Sequence, residues 1–181
     1  MHHTMIALVE NKPGVLNRVA SLFRRRNFNI DSLSVGKTER ADISRMTIVM
    51  DDKVDARKVE ANLYKLVNVI DVQDVTNQPA IARDLALIKV KCPPEKRTEV
   101  ASLADIFRAH IVDVAKNSVI VEIAGTEDKI EGLVELLRPH GILEMVRTGQ
   151  VAMMRGTGDG IRYTPGTNGH KKNREQLSVD D

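Results

Sequence analysis

The segment Asn11-Lys12-Pro13-Gly14-Val15-Leu16 carries the chain's clearest chemical potential. An apolar run, Met5 to Glu10, ends just before it, and helical spacing starts just after it. The first turn of a helix presents amides with no internal acceptor and a partial positive charge, which suit a carboxylate. Gly14 lets a ligand approach the main chain closely. Asn11 offers both a donor and an acceptor, as the two ends of a zwitterion require. The same residues also make an ordinary turn and helix cap, and the residues alone leave both readings open. Either way the chemistry is binding rather than bond-making.

Other reactive side chains form no constellation. The five histidines (His2, His3, His110, His140 and His170) are scattered at the termini and helix ends without metal-ligand spacing. Cys92 alternates with Val90 on an apolar strand, where a cysteine acts as a small hydrophobe. As the single cysteine it cannot form an internal disulfide, which fits a reducing cytoplasm. Gly156-x-Gly158-x-Gly160 lacks the following helix that a phosphate-binding loop needs. No catalytic residue and no metal site is expected.

The elements that must position the turn follow from periodicity. Val15, Leu16, Val19, Leu22 and Phe23 share helical spacing, with Pro13 suited to the helix's first turn and Arg24-Arg25-Arg26 to its end. A strand is read through Phe28, Ile30, Leu33 and Val35, and another from Ile43 to Met50. Asp55 is a plausible N-cap for a helix striped with Val59, Leu63 and Leu66, and Val69 to Val75 alternates as a strand. The order is βαββαβ. It repeats with Leu85–Lys91, a helix after Pro93-Pro94, Ile111–Ala115, Ser118–Ala124, a helix capped by Thr126, and Ile142–Arg147.

The predicted fold is therefore α+β, with two tandem ferredoxin-like units over 1–78 and 79–155 and a disordered tail over 156–181. Units of about 70–75 residues have marginal cores, and such a sheet leaves one face and its edges uncovered. Strands bearing Ile6, Leu8, Ile48, Val49 and Met50 suit pairing edge to edge or packing with another copy, so a homodimer or higher oligomer formed through the sheet is expected.

Composition bounds the partners. Apolar residues are 42% and charged residues 29% of the 181 residues, as in soluble globular proteins. A net charge of +2 with 3% aromatic residues argues against nucleic acid. No apolar run approaches the roughly 18–20 residues of a membrane span, and no signal peptide opens the sequence. A cytoplasmic location is expected.

Several motifs resemble one family closely. They are Asn11-x-x-Gly14-Val15-Leu16-x-Arg18-Val19, Leu22-Phe23-x-x-Arg26, Phe28-Asn29-Ile30-x-Ser32-Leu33 and Ser44-Arg45-Met46-Thr47-Ile48. Glu122-Ile123-Ala124-Gly125-Thr126, Arg147-Thr148-Gly149 and Met154-Arg155-Gly156 extend the match over about residues 1–156. The family is the acetolactate (acetohydroxyacid) synthase small, regulatory subunit, whose N-terminal unit is an ACT domain. The resemblance implies a chain without catalysis of its own. It would activate a large catalytic subunit carrying thiamine diphosphate, Mg2+ and FAD, hold no cofactor itself, and confer feedback inhibition by valine in branched-chain amino-acid synthesis. It further implies valine between two ACT domains. Asn11, Lys12, Pro13, Gly14, Val15 and Leu16 would belong to one copy and the strand near Asn29 and Ile30 to the other, with Leu16, Ile30 and Val35 as candidates to line an apolar pocket. Position 27 is Asn where the family leads one to expect glycine. An ACT-type sensor for another biosynthetic enzyme, an acylphosphatase-like small enzyme and a metal-responsive regulator are the rival readings. The second-unit match argues against the first. The missing arginine-bearing phosphate loop argues against the second, and the scattered His and Cys residues argue against the third.

Overall fold

The computed structural model of the protein describes residues 2–156. The tail expected over 156–181 therefore falls, apart from Gly156, outside the described residues. Residues 2–81 with 152–156 form one compact unit, and Ala82–Val151 form the other. Each is a two-layer α+β unit.

The first unit runs β1 (His2–Glu10), α1 (Val15–Arg25), β2 (Ser32–Lys37), β3 (Ile43–Asp51), α2 (Ala56–Leu63) and β4 (Val69–Asp74). Its antiparallel sheet has the order β2-β3-β1-β4. Helix α1 forms because Val15, Val19, Leu22 and Phe23 make one buried stripe, while Arg24 and Arg25 sit in the last turn where the dipole favours cations. Asp55 caps α2 by accepting from the Arg57 amide at 3.1 Å.

Cross-strand pairs assign the two faces of the sheet. Met5 pairs with Ile48 and Ala7 with Met46, and all four join the core beneath the helices. Met50 joins them there, so Ile48 and Met50 belong to the unit's own core and are not available to a second copy. Ile6 and Leu8 point to the other face, and they are buried too. On that face Arg45 Nη2 donates to the Ala152 carbonyl at 2.6 Å. The Arg155 amide donates to the Pro79 carbonyl at 2.7 Å. These bonds explain why 152–155, read from the sequence as the end of the second unit, belong to the first.

The expected strand from Phe28 is shorter, because Phe28 and Ile30 differ in parity from Leu33 and Val35. A strand of period two cannot put all four on one face. Phe28 instead meets Phe23 edge to face, with ring centroids 5.9 Å apart, and strand pairing starts at Ser32. Asn27 bridges α1 to this segment at φ 55, so the left-handed turn survives without glycine.

The second unit contains most of β5 (Ala80–Lys91), then α3 (Arg97–Ile106), β6 (His110–Val114), β7 (Ser118–Gly125), α4 (Glu127–Leu137) and β8 (Ile142–Arg147). Its strand order is β6-β7-β5-β8, and a short β9 (Val151–Met154) also pairs with β5. Ile130, Leu133, Val134 and Leu137 bury the inner face of α4. Thr126 stands at the N-cap of α4 but makes no side-chain capping bond. Arg108, at φ 51, occupies the helix-to-strand turn that matches Asn27 in the first unit. Cys92 is buried and free, and burial pushes its thiol pKa up.

Candidate effector site

The end of β1 pairs with the start of β3, Glu10 opposite Ile43, so the following turn emerges beside the β2–β3 loop. Asn11 ties the two together. Its amide donates to the Asp42 carbonyl at 2.8 Å, and its Nδ2 donates to the Ala41 carbonyl at 2.9 Å. The side chain read as a ligand partner thus spends one of its two N–H donors on the neighbouring loop. Pro13 lies before the helix rather than in its first turn. The reason is Gly14, whose φ of 82 is incompatible with helical continuation and which stands at the N-cap of α1. Nothing lies within 4 Å of where a Cβ on Gly14 would sit. The position therefore demands a left-handed backbone and faces open space.

No side chain caps α1. Arg18 donates its amide to the Gly14 carbonyl at 3.0 Å, and Val15 makes a long 3.4 Å bond to Lys12. Among the described residues the Leu16 and Asn17 amides have no acceptor. Two uncommitted amides at the positive end of an 11-residue helix are what a carboxylate requires. Lys12 Nζ lies 3.1 Å from Glu10 Oε2, and the Glu10 carboxyl is held below its usual range by a hydrogen bond from Asn68 and then by Lys12.

The apolar residues divide. Val15 is 5% exposed and belongs to the core, leaving only its main chain to the turn. Leu16 is 46% exposed and Val35 42%. Val35 pairs with Met46, so it lies on the helix side of the sheet, at its edge strand. Ile30 is partly buried against the core.

Asn29 and Ile30 lie at the opposite end of β2 from the turn. Ser32 pairs with Val49, and Lys37 pairs with Ser44 near the turn. Strand rise puts the two ends about 17 Å apart. One chain therefore does not bring Asn11–Leu16 and Asn29 together. Beside Asn29 stands a group that the sequence reading missed. Asp31 accepts from Asn29 Nδ2 at 2.7 Å through Oδ1, and its Oδ2 lies 3.2 Å from His2 Nδ1. A carboxylate is a stronger partner for an ammonium than a carboxamide. Its signal in the sequence was an acid two residues after Asn29, just before a strand. Among the described residues no group of three or more His, Cys, Asp or Glu side chains is placed to hold a metal, and no helix is long and apolar enough to cross a membrane.

The βαββαβ order, with an uncapped glycine turn before its first helix, is the arrangement of an ACT-type unit. Comparison with known proteins carries this further. Residues 5–71 match the family described as AHAS small subunit-like ACT domain, and 83–156 match the small subunit of acetolactate synthase. The probable acetolactate synthase small subunit of Archaeoglobus fulgidus is 56% identical over 158 residues, 86% of this chain and 98% of that protein. The acetolactate synthase small subunit of Bacillus subtilis is 44% identical over 159 residues, 87% and 92% of the two chains. A crystal structure of the acetolactate synthase small subunit from Thermotoga maritima superposes with a TM-score of 0.80 at 41% identity, covering 87% of this chain and 99% of that one. The chain belongs to the acetolactate synthase small subunit family. As a small subunit it serves a separate, catalytic large subunit.

Proposed function

We propose that two copies of this chain join along their β2 edges, bind L-valine in the seam, and thereby restrain a large subunit that they otherwise activate. What supports the reading is that the Asn11–Leu16 turn and the Asn29–Asp31 segment lie toward opposite ends of an edge strand, β2. Among the described strands β2 pairs with β3 alone. Antiparallel pairing of two such edges sets the Ser32 end of each beside the Lys37 end of the other. The Asn29–Asp31 segment of the second copy then faces the Asn11–Leu16 turn of the first. The Leu16 and Asn17 amides hold the carboxylate, Asp31 and Asn29 hold the ammonium group, and Leu16, Val35 and Ile30 surround the side chain. Lys12 and Pro13 shape the turn.

Burying an isopropyl group supplies roughly 1.5–3 kcal/mol, so selectivity over leucine and isoleucine rests on the room between the two copies. Control of the large subunit needs a coupling on the order of 1–3 kcal/mol and a preference of valine for one dimer arrangement. Thiamine diphosphate, Mg2+ and FAD belong to the large subunit in this reading, and none is held here. Titration calorimetry with valine, leucine and isoleucine tests it, paired with synthase assays of the reconstituted holoenzyme. Valine heat together with valine-dependent loss of synthase activity is expected. A monomer in light scattering, or a dimer indifferent to valine in both measurements, refutes it.

A further inference from the structure

Gly14 gives the effector turn freedom, and something else must take that freedom away. The residue placed to do so is Asn68, in the connection between α2 and β4. It is one of few buried polar side chains in the described residues, 9% exposed. Its Oδ1 accepts from Arg18 Nη1 at 2.7 Å, and its Nδ2 donates to Glu10 Oε2 at 2.5 Å. Its main-chain carbonyl accepts from the Glu10 amide at 2.9 Å. Glu10 is the last residue of β1, and Arg18 lies in the first turn of α1. Lys12 closes the arrangement, with Nζ 3.1 Å from Glu10 Oε2 and its amide donating to the Glu10 carbonyl at 3.0 Å. One carboxamide thus grips both ends of the turn.

We infer that Asn68 is the positioning residue of the effector turn: it sets the angle between the end of β1 and the start of α1, and so holds the Leu16 and Asn17 amides for a ligand carboxylate. The inference rests on the valine reading above. Its chemistry is specific to asparagine, which donates toward a carboxylate and accepts from a guanidinium in one planar group. Aspartate would still accept from Arg18 but would set a second carboxylate against Glu10. Leucine would keep the volume and offer neither bond. The connection bearing Asn68 also meets β1 where its register against β4 shifts, between Leu8 and Val9. The turn is therefore tied to the α2–β4 end of the unit as well as to its own strand.

The test measures L-valine binding by titration calorimetry and thermal unfolding on the full chain, for the wild type, Asn68→Leu and Asn68→Asp. Arg18→Ala is added because Arg18 is exposed and its loss leaves no buried hole. Asn62→Ala serves as the control. Asn62 is also a buried asparagine of this unit, 8% exposed, and its Nδ2 donates to the Lys58 carbonyl at 2.7 Å, away from the turn. Losing bonds to charged groups predicts a valine Kd raised about tenfold or more in both Asn68 variants and about threefold or more in Arg18→Ala, with no change in Asn62→Ala. If the Asn68 variants and Asn62→Ala lose thermal stability alike while valine affinity stays at the wild-type value, Asn68 is structural and the inference fails. If the Asn68 variants do not fold, an unchanged Kd in Arg18→Ala overturns it in the same way. A wild type that gives no valine heat would bring down the valine reading, and this inference with it.

Discussion

Substituting Gly14 by aspartate and by asparagine isolates the charge that the proposed effector site would receive. The two side chains are nearly equal in size, and both tolerate left-handed backbone better than other residues. Nothing lies within 4 Å of the Cβ position, and the φ of 82 strains both side chains alike. The backbone cost of each is about 1–2 kcal/mol and largely cancels between them. Both can reach the uncommitted Leu16 and Asn17 amides, so competition by capping also largely cancels. What remains is a full negative charge about 5 Å from the bound carboxylate. Coulomb's law gives about 3 kcal/mol at an effective dielectric of 20 and about 0.8 kcal/mol in water. An exposed turn lies between these limits, so Gly14→Asp should bind valine about ten- to thirtyfold more weakly than Gly14→Asn. Calorimetry on the two full-length variants measures the ratio. Repeating it at high salt should narrow the gap, because screening acts on an exposed pair. Equal valine affinities for the two variants at low salt would show that the carboxylate does not sit at this turn.

Two further expectations concern the scaffold. Arg108 at φ 51 bears the left-handed penalty of an ordinary side chain, so Arg108→Gly should stabilise the second unit by about 0.5–1 kcal/mol, a rise of a few degrees in its melting temperature by calorimetry. Asn27→Gly at the matching turn should gain less, since asparagine already tolerates the conformation. The Tyr64 hydroxyl lies 3.0 Å from Asp71 Oδ1 and 3.2 Å from the Val72 carbonyl, and it accepts from the Val72 amide. Burial above all pushes its pKa up to about 12. Because the folded value lies above the unfolded value of about 10, the stability it lends is complete below pH 10 and drains away as pH rises through 12. Absorbance titration of the folded protein should show a late tyrosinate step that Tyr64→Phe removes.

How far the sequence was readable depended on whether a residue's partners were near it in the chain. Helix α1 was legible because Val15, Val19, Leu22 and Phe23 repeat at the helical period, and the cap of α2 was legible because Asp55 and Arg57 are neighbours. The effector turn was half legible. Pro13-Gly14 announced a break, but the order of break and helix start depends on a backbone angle that glycine leaves open. Strand β1 hid its faces, since Met5 to Val9 are all buried and give no alternation to read. Asn68 was silent, because Arg18 and Glu10 lie 50 and 58 residues away and no local pattern marks a carboxamide that will meet both. The separation of Asn29 from Asn11 was expected from the family resemblance alone, and no local pattern could supply it. It follows from the sheet order β2-β3-β1-β4, which is a property of long-range pairing. That order leaves the Asn11 turn and Asn29 toward opposite ends of β2, and in the reading proposed above a second copy, turned end for end, brings them together.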